Sequence, residues 1–115
     1  MATADVIVDT DVVVDHLRGR RALPPVAVAY STVTRAELFA GKGGQEARIR
    51  SVLSPFQELE VDREVAEVAG RVRRATGLPL PDGLIAATAL VHNITLMTRN
   101  LKHFQRVDGL RLVWP

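Results

Sequence analysis

The chain opens with Val6-Ile7-Val8, an unbroken β-branched run between Asp5 and Asp9 that predicts a short buried strand. Val12 to Leu17 then reads as a helix entered through Asp11. Beyond the basic connection Arg18, Arg20, Arg21 with Pro24 and Pro25, Val26 to Tyr30 is too short for a helix and predicts a second buried strand. Ser31 to Gly41 follows as a helix, with Ser31, Thr32 and Thr34 at its entry and Glu37 in capping-box spacing from Thr34. Gln45 to Leu53 is another short helix, stopped by Pro55, and Phe56 to Val61 a third strand. Asp62 caps the strongest helical pattern of the chain, in which Val65, Val68, Ala69, Val72 and Ala75 recur at helical spacing up to Gly77. Pro79 and Pro81 flank a turn, and Asp82 opens an apolar helix over Gly83 to His92. Ile94 to Thr98 predicts a fourth strand, Arg99 to Phe104 a loop or single helical turn, and Leu110 to Val113 an edge strand for which Trp114 reads as a packing anchor in preference to a stacking platform. Apolar strands alternating with helices, with no hairpin dipeptide between them, predict an α/β fold: a mainly parallel central sheet of four to five strands covered on both faces.

A length of 115 residues makes this a single domain, 1–115, with no repeat or linker, and 47% hydrophobic content is ample for a core. No run approaches the roughly 18 to 20 apolar residues that span a bilayer, and the first segment carries Asp5, Asp9 and Asp11 where a signal peptide would be basic and then apolar. The expectation is a soluble, cytoplasmic protein that does not engage membranes. Zero cysteines exclude disulfides, thiolate nucleophiles and sulfur-bound metals, which leaves carboxylates, amides and three histidines as possible metal ligands. A net charge of +2 permits an anionic partner without identifying one.

In an open parallel sheet the ligand crevice lies beyond the carboxyl ends of the strands. Those positions are acidic here: Asp9 after the first strand with Asp11 close behind, Glu37 in the helix after the second, Asp82 at the helix before the fourth, and Asn100 just past that strand. Oxygen ligands gathered at one edge, without cysteine, describe a hard-cation site for Mg²⁺ or Mn²⁺. Such an ion polarises a phosphoryl oxygen and lowers the pKa of bound water, the chemistry of phosphodiester hydrolysis. Each residue also has a purely structural reading: Asp11 as an N-cap, Glu37 as half of a capping box, Asp82 as an acid set against a helix dipole. Asp9 resists that reading, because a charge ending a covered strand is costly unless paired or bound to metal.

Four stretches resemble, in order, the signature segments of PIN-domain ribonucleases, and among them VapC-type toxins: Val8-Asp9-Thr10-Asp11, Ser31 to Gly41, Pro81-Asp82-Gly83-Leu84 through Ala89, and Thr98-Arg99-Asn100. The resemblance implies a three-layer α/β/α PIN-like fold, Mg²⁺- or Mn²⁺-dependent endoribonuclease activity and a role as toxin in a toxin–antitoxin pair. It implies as partners an RNA substrate, a VapB-type antitoxin that occupies the active site, and a second copy of the chain in a homodimer. By position, Asp9, Glu37 and Asp82 match the family's metal-binding carboxylates, and Asn100 completes the catalytic set. The chain departs at the fourth corner. Relatives commonly have Asp at the place of Asn100, or an acidic residue three positions later, where this chain has His103. Asp11 stands where Asn or Ser is more usual and is an additional candidate ligand, as is His103.

The resemblance makes Thr10 and Thr98 either donors to the ligating carboxylates or local turn caps. Arg35, Lys42, Arg99 and Lys102 flank the acidic stretches as candidate RNA phosphate contacts, with solvated surface charge the alternative for each. His16 and His92 lack metal spacing and read as structural. Two rivals remain to be separated. A phosphorylated receiver domain would need an isolated acceptor Asp after a middle strand and a Lys at a later strand end, which this chain lacks. A PIN-fold module that binds RNA or protein with weakened catalysis differs from a nuclease only in metal-dependent cleavage.

Overall fold

The computed structural model describes residues 4–115. Along the chain run β1 (Val6–Val8), α1 (Thr10–Leu17), β2 (Val28–Ser31), α2 (Thr32–Phe39), α3 (Glu46–Leu53), β3 (Gln57–Leu59), α4 (Arg63–Thr76), α5 (Leu80–His92), β4 (Thr95–Met97), α6 (Leu101–Phe104) and β5 (Leu112–Val113). The five strands form one sheet in the order β3-β2-β1-β4-β5, and every neighbouring pair is parallel. All carboxyl ends therefore face one edge, with β1 in the middle.

The unbroken apolar run of β1 is explained by what covers each face. Ile7, with Ala29 and Leu96 of the neighbouring strands, packs into a core completed by Val72, Leu78, Ile85, Ala86 and Phe104 from α4 to α6. Val6 and Val8 point the other way, with Val28, Tyr30 and Met97, into a core filled by Val12, Val13, Leu38, Ile49 and Leu53 from α1 to α3. Period-two alternation thus places the three inner strands β1, β2 and β4 in two cores, and a one-residue slip would exchange them. Val65, Ala69 and Ala87 seal α4 against α5. A Cβ at Gly83 would lie 3.4 Å from the Ala69 carbonyl oxygen, which leaves little slack for a larger side chain at that crossing.

Several local expectations shift. Asp9, with extended backbone, is the N-cap of α1 and its side chain accepts from the Thr10 amide; Asp11, expected as the entry residue, lies in the first turn. The helix starts earlier because the carboxylate directly after the strand already satisfies a free helix amide. At α2 the cap is Ser31, which accepts from the Val33 amide, so no capping box forms between Thr34 and Glu37. Helix α5 begins at Leu80, with Pro79 as N-cap and Asp82 inside the first turn. The third and fifth strands are shorter than expected because they are edge strands with one neighbour each. Trp114 is 51% exposed and does not anchor β5. Asp62 caps α4 as expected, and Gly77 ends it in the left-handed conformation that favours glycine.

Candidate active site

Asp9 stands where β1 hands the chain to α1, at the centre of the carboxyl edge. Its amide continues the β1–β4 ladder by donating to the Met97 carbonyl at 2.9 Å. One carboxylate oxygen accepts from the Thr10 amide at 2.8 Å and the other from the Thr98 hydroxyl at 2.9 Å. The Thr98 hydroxyl in turn accepts from the Asn100 amide at 3.0 Å. The side chain of Asp9 is thereby fixed by the end of β4, as the reading of Thr98 as a carboxylate donor required.

Burial pushes the Asp9 carboxyl up to about 6, the negative charge of Asp11 adds to it, and that of Asp82 contributes further, against the lowering bonds from Thr98 and Thr10. Two neighbouring acids thus add to the effect of burial on Asp9. Asp11 is likewise raised by burial, although it accepts from the Arg99 amide at 3.2 Å and lies 3.8 Å from the Arg99 side chain. Its second carboxylate oxygen is buried without a hydrogen-bond partner.

The other expected residues enter from separate elements. Glu37, exposed on α2, accepts a 2.6 Å bond from the Thr10 hydroxyl, whose oxygen lies 3.0 Å from that of Thr34. With its one proton given to Glu37, the Thr10 hydroxyl can only accept from Thr34, and this chain orients the carboxylate toward α1. Asp82 meets the His103 Nε2 at 2.9 Å, so the histidine at the departing position touches a carboxylate directly. Asn100 is exposed and its side chain caps no helix amide.

The basic residues separate. Arg35 forms an ion pair with Glu58, donates to the Tyr30 hydroxyl at 2.8 Å and lies over the Tyr30 ring, so its guanidinium braces the edge strand β3. That occupation corrects its assignment as a free phosphate contact. Lys42 lines a cleft of about 810 Å³ between α1 and the α2–α3 segment, together with Glu37, Arg18 and Arg48. Lys102 is exposed on α6. Arg99 holds Asp15 at 3.1 Å. Asp15 escaped the sequence reading although it lies four residues after Asp11 on the same helix, the spacing that aligns side chains on one face. His16 Nδ1 accepts from the Leu23 amide, a structural role as expected.

Among the described residues, no three carboxylate or imidazole groups close into a preformed metal cage. The donor set nevertheless fits a hard cation. It is made of oxygen ligands on elements that converge on one edge, with mutual repulsion on Asp9 that a positive charge would relieve and an unpartnered oxygen on Asp11.

Comparison with known proteins agrees with this architecture. The family profile described as PIN domain matches residues 6–110. Ribonuclease VapC19 of Mycobacterium tuberculosis is 34% identical over 91% of this chain and 96% of its own length. Ribonuclease VapC1 of Methanocaldococcus jannaschii is 32% identical over 93% of this chain and 85% of its own. Among solved structures, a toxin–antitoxin complex from Klebsiella pneumoniae contains a chain that superposes with a TM-score of 0.81 and 36% identity, covering 94% of this chain and 95% of that one.

Proposed function

We propose that this chain, which belongs to the PIN-domain family and within it to the VapC ribonucleases, is a metal-dependent endoribonuclease and the toxin of a toxin–antitoxin pair. The observation that carries the reading is Asp9 at the middle of the carboxyl edge, held by Thr98 and Thr10 and raised by its burial and then by Asp11 and Asp82. A fold does not need such a charge there. An enzyme that concentrates negative potential to attract a cation does.

Asp9, Glu37 and Asp82 would hold Mg²⁺ or Mn²⁺, which supplies a Lewis acid for a phosphoryl oxygen and a lowered pKa for water. The remaining work belongs to the chain. Thr98 and the Thr10 amide keep both oxygens of Asp9 in one orientation, leaving their other lone pairs free. The Thr10 hydroxyl fixes Glu37, and His103 fixes Asp82. The side-chain amide of Asn100, which caps no helix amide, would orient a water or a phosphoryl oxygen. Water attacks phosphorus in line, the P–O3′ bond breaks, and the products are a 5′-phosphate and a 3′-hydroxyl.

As partner, a VapB-type antitoxin would silence the site by placing an arginine among the carboxylates, a charge-assisted contact that replaces the cation. The Lys42-lined cleft beside Glu37 is open to such a segment. The active form is proposed to be a homodimer working in the cytoplasm, where RNA is accessible. No helix among the described residues is long and apolar enough to cross a membrane.

The test is cleavage of single-stranded RNA by purified protein with Mg²⁺ or Mn²⁺, with EDTA, and with the Asp9→Asn variant. Metal-dependent cleavage lost in Asp9→Asn is expected. Full activity in that variant would overturn the mechanism, and RNA binding without cleavage would favour the non-catalytic module.

A further inference from the structure

A second cleft, about 480 Å³, adjoins the candidate site and is lined by Asp15, Arg20, Arg21, Arg99, Asn100 and Trp114. It shares Asn100 with that site, and Arg99 lies between the two, reaching both Asp11 and Asp15. Three guanidinium groups face one carboxylate. That carboxylate cannot neutralise all three: Asp15 is buried, one oxygen is paired with Arg99 at 3.1 Å, and the other has no hydrogen-bond partner and lies 3.9 Å from Arg20. The Arg20 side chain is 60% exposed, and Arg21 is exposed and forms no ion pair among the described residues. Beside these cations, Trp114 leaves half its surface in solvent.

An exposed indole next to unneutralised guanidinium groups suits a ligand that carries both a flat π-face and a negative charge. A free anion would need no indole, and an apolar peptide would not select three arginines. Single-stranded RNA presents both features in every nucleotide, because its unpaired bases stack on aromatic side chains while basic groups follow the backbone.

We propose that this cleft is a subsite for a nucleotide flanking the scissile phosphate, with its base stacked on Trp114 and its phosphate held by Arg20 and Arg21. The inference rests on the nuclease reading and extends it to the substrate strand. Arg99, pinned by Asp15, forms the wall between subsite and carboxylates, a positioning role.

Trp114 is the sole tryptophan of the chain, so its fluorescence reports on this cleft alone. The probe is a mixed-sequence single-stranded RNA 10-mer added to the full-length protein in EDTA. Saturable quenching is expected, with none from inorganic phosphate at equal concentration. By anisotropy of the labelled 10-mer, Trp114→Ala weakens binding about 5- to 100-fold and Trp114→Phe largely retains it. Arg20→Gln with Arg21→Gln flattens the salt dependence by about 0.7 in log–log slope for each phosphate no longer neutralised. Trp114 lies outside the core, so its variants report on binding rather than folding.

Unmoved emission while RNA binds, equal affinity in Trp114→Ala, absence of RNA binding, or quenching produced only by the antitoxin would each overturn the subsite. Cleavage measured on the same preparations separates the two claims. Cleavage with an unchanged KM in Trp114→Ala removes the subsite and keeps the nuclease, whereas quenching and tight binding without cleavage does the reverse.

Discussion

Thr98 donates its hydroxyl to Asp9 across 89 residues of sequence, joining the end of β4 to the end of β1 inside the protein. The bond favours the ionised carboxylate and opposes the burial that pushes Asp9 up to about 6. Thr98→Val keeps the shape and removes the donor. The acid limb of the pH–rate profile is then expected to move to higher pH, with cleavage at pH 6 reduced about 10- to 100-fold, the usual loss for a group supporting a metal ligand. A profile that scales down without shifting would mean that Thr98 matters only for packing.

Stability of the metal-free protein should depend on Asp9 with a defined sign. Its folded value of about 6 lies above the ordinary 3.8, so the folded state holds the proton more tightly than the unfolded chain does. Stability is fully kept below pH 3.8, falls as pH rises from there, and has lost up to about 3 kcal/mol above pH 6. Asp9→Asn, which cannot ionise, is expected to melt several degrees higher than the parent at pH 8 and at the same temperature near pH 3.5. Equal melting at both pH values would show that the charge is relieved in another way.

Adding Mg²⁺ or Mn²⁺ should raise the melting temperature of the parent protein through preferential binding to the folded state, and EDTA should reverse it. In Asp9→Asn and Asp82→Asn the shift is expected to vanish, together with a loss of cleavage greater than about 100-fold, beyond that of losing a supporting bond. Calorimetry with metal alone separates binding from turnover.

The contact of His103 with Asp82 gives the departing position its own test. Replacing the imidazole with a carboxylate, His103→Asp, adds a hard ligand beside Asp82 and should lower the metal concentration for half-maximal cleavage. Asp11→Asn removes a negative charge and an unpartnered oxygen from the site and, where Asp11 supplies the missing carboxylate, should raise it several-fold. With a site short of carboxylates, the parent should prefer Mn²⁺, which accepts nitrogen ligands more readily. Identical midpoints in all three proteins would place both residues outside the ion's reach.

What the sequence made legible was whatever local chemistry determines. The Val6-Ile7-Val8 run required a strand buried on both faces, and the spacing of Val65, Ala69 and Val72 with Asp62 before it required α4. Asp9, Glu37 and Asp82 stood out as candidates because strand ends are where a parallel sheet collects its functional groups. Two adjacent acids at the first strand end both suit capping, and only the three-dimensional path of the chain decides for Asp9 over Asp11. The pairing of Arg35 with Glu58 and the meeting of Trp114 with Arg20 lay beyond reach for another reason. Both depend on how distant segments pack across the sheet, and no periodicity encodes that.

The strand order carries a consequence in time. Among the five described strands β1 is synthesised before the others and lies between β2 and β4, while β4 and β5 follow the rest. On the ribosome, a growing chain can pair β1 with β2 and β2 with β3, yet Asp9 has no Thr98 hydroxyl and Asp82 no His103 until the segment after α5 has emerged. The carboxyl edge thus comes together only after α5 has emerged, through parallel pairings between distant segments that close slowly. A chain stopped after α5 holds Asp9, Glu37 and Asp82 but neither Thr98 nor His103 to orient them.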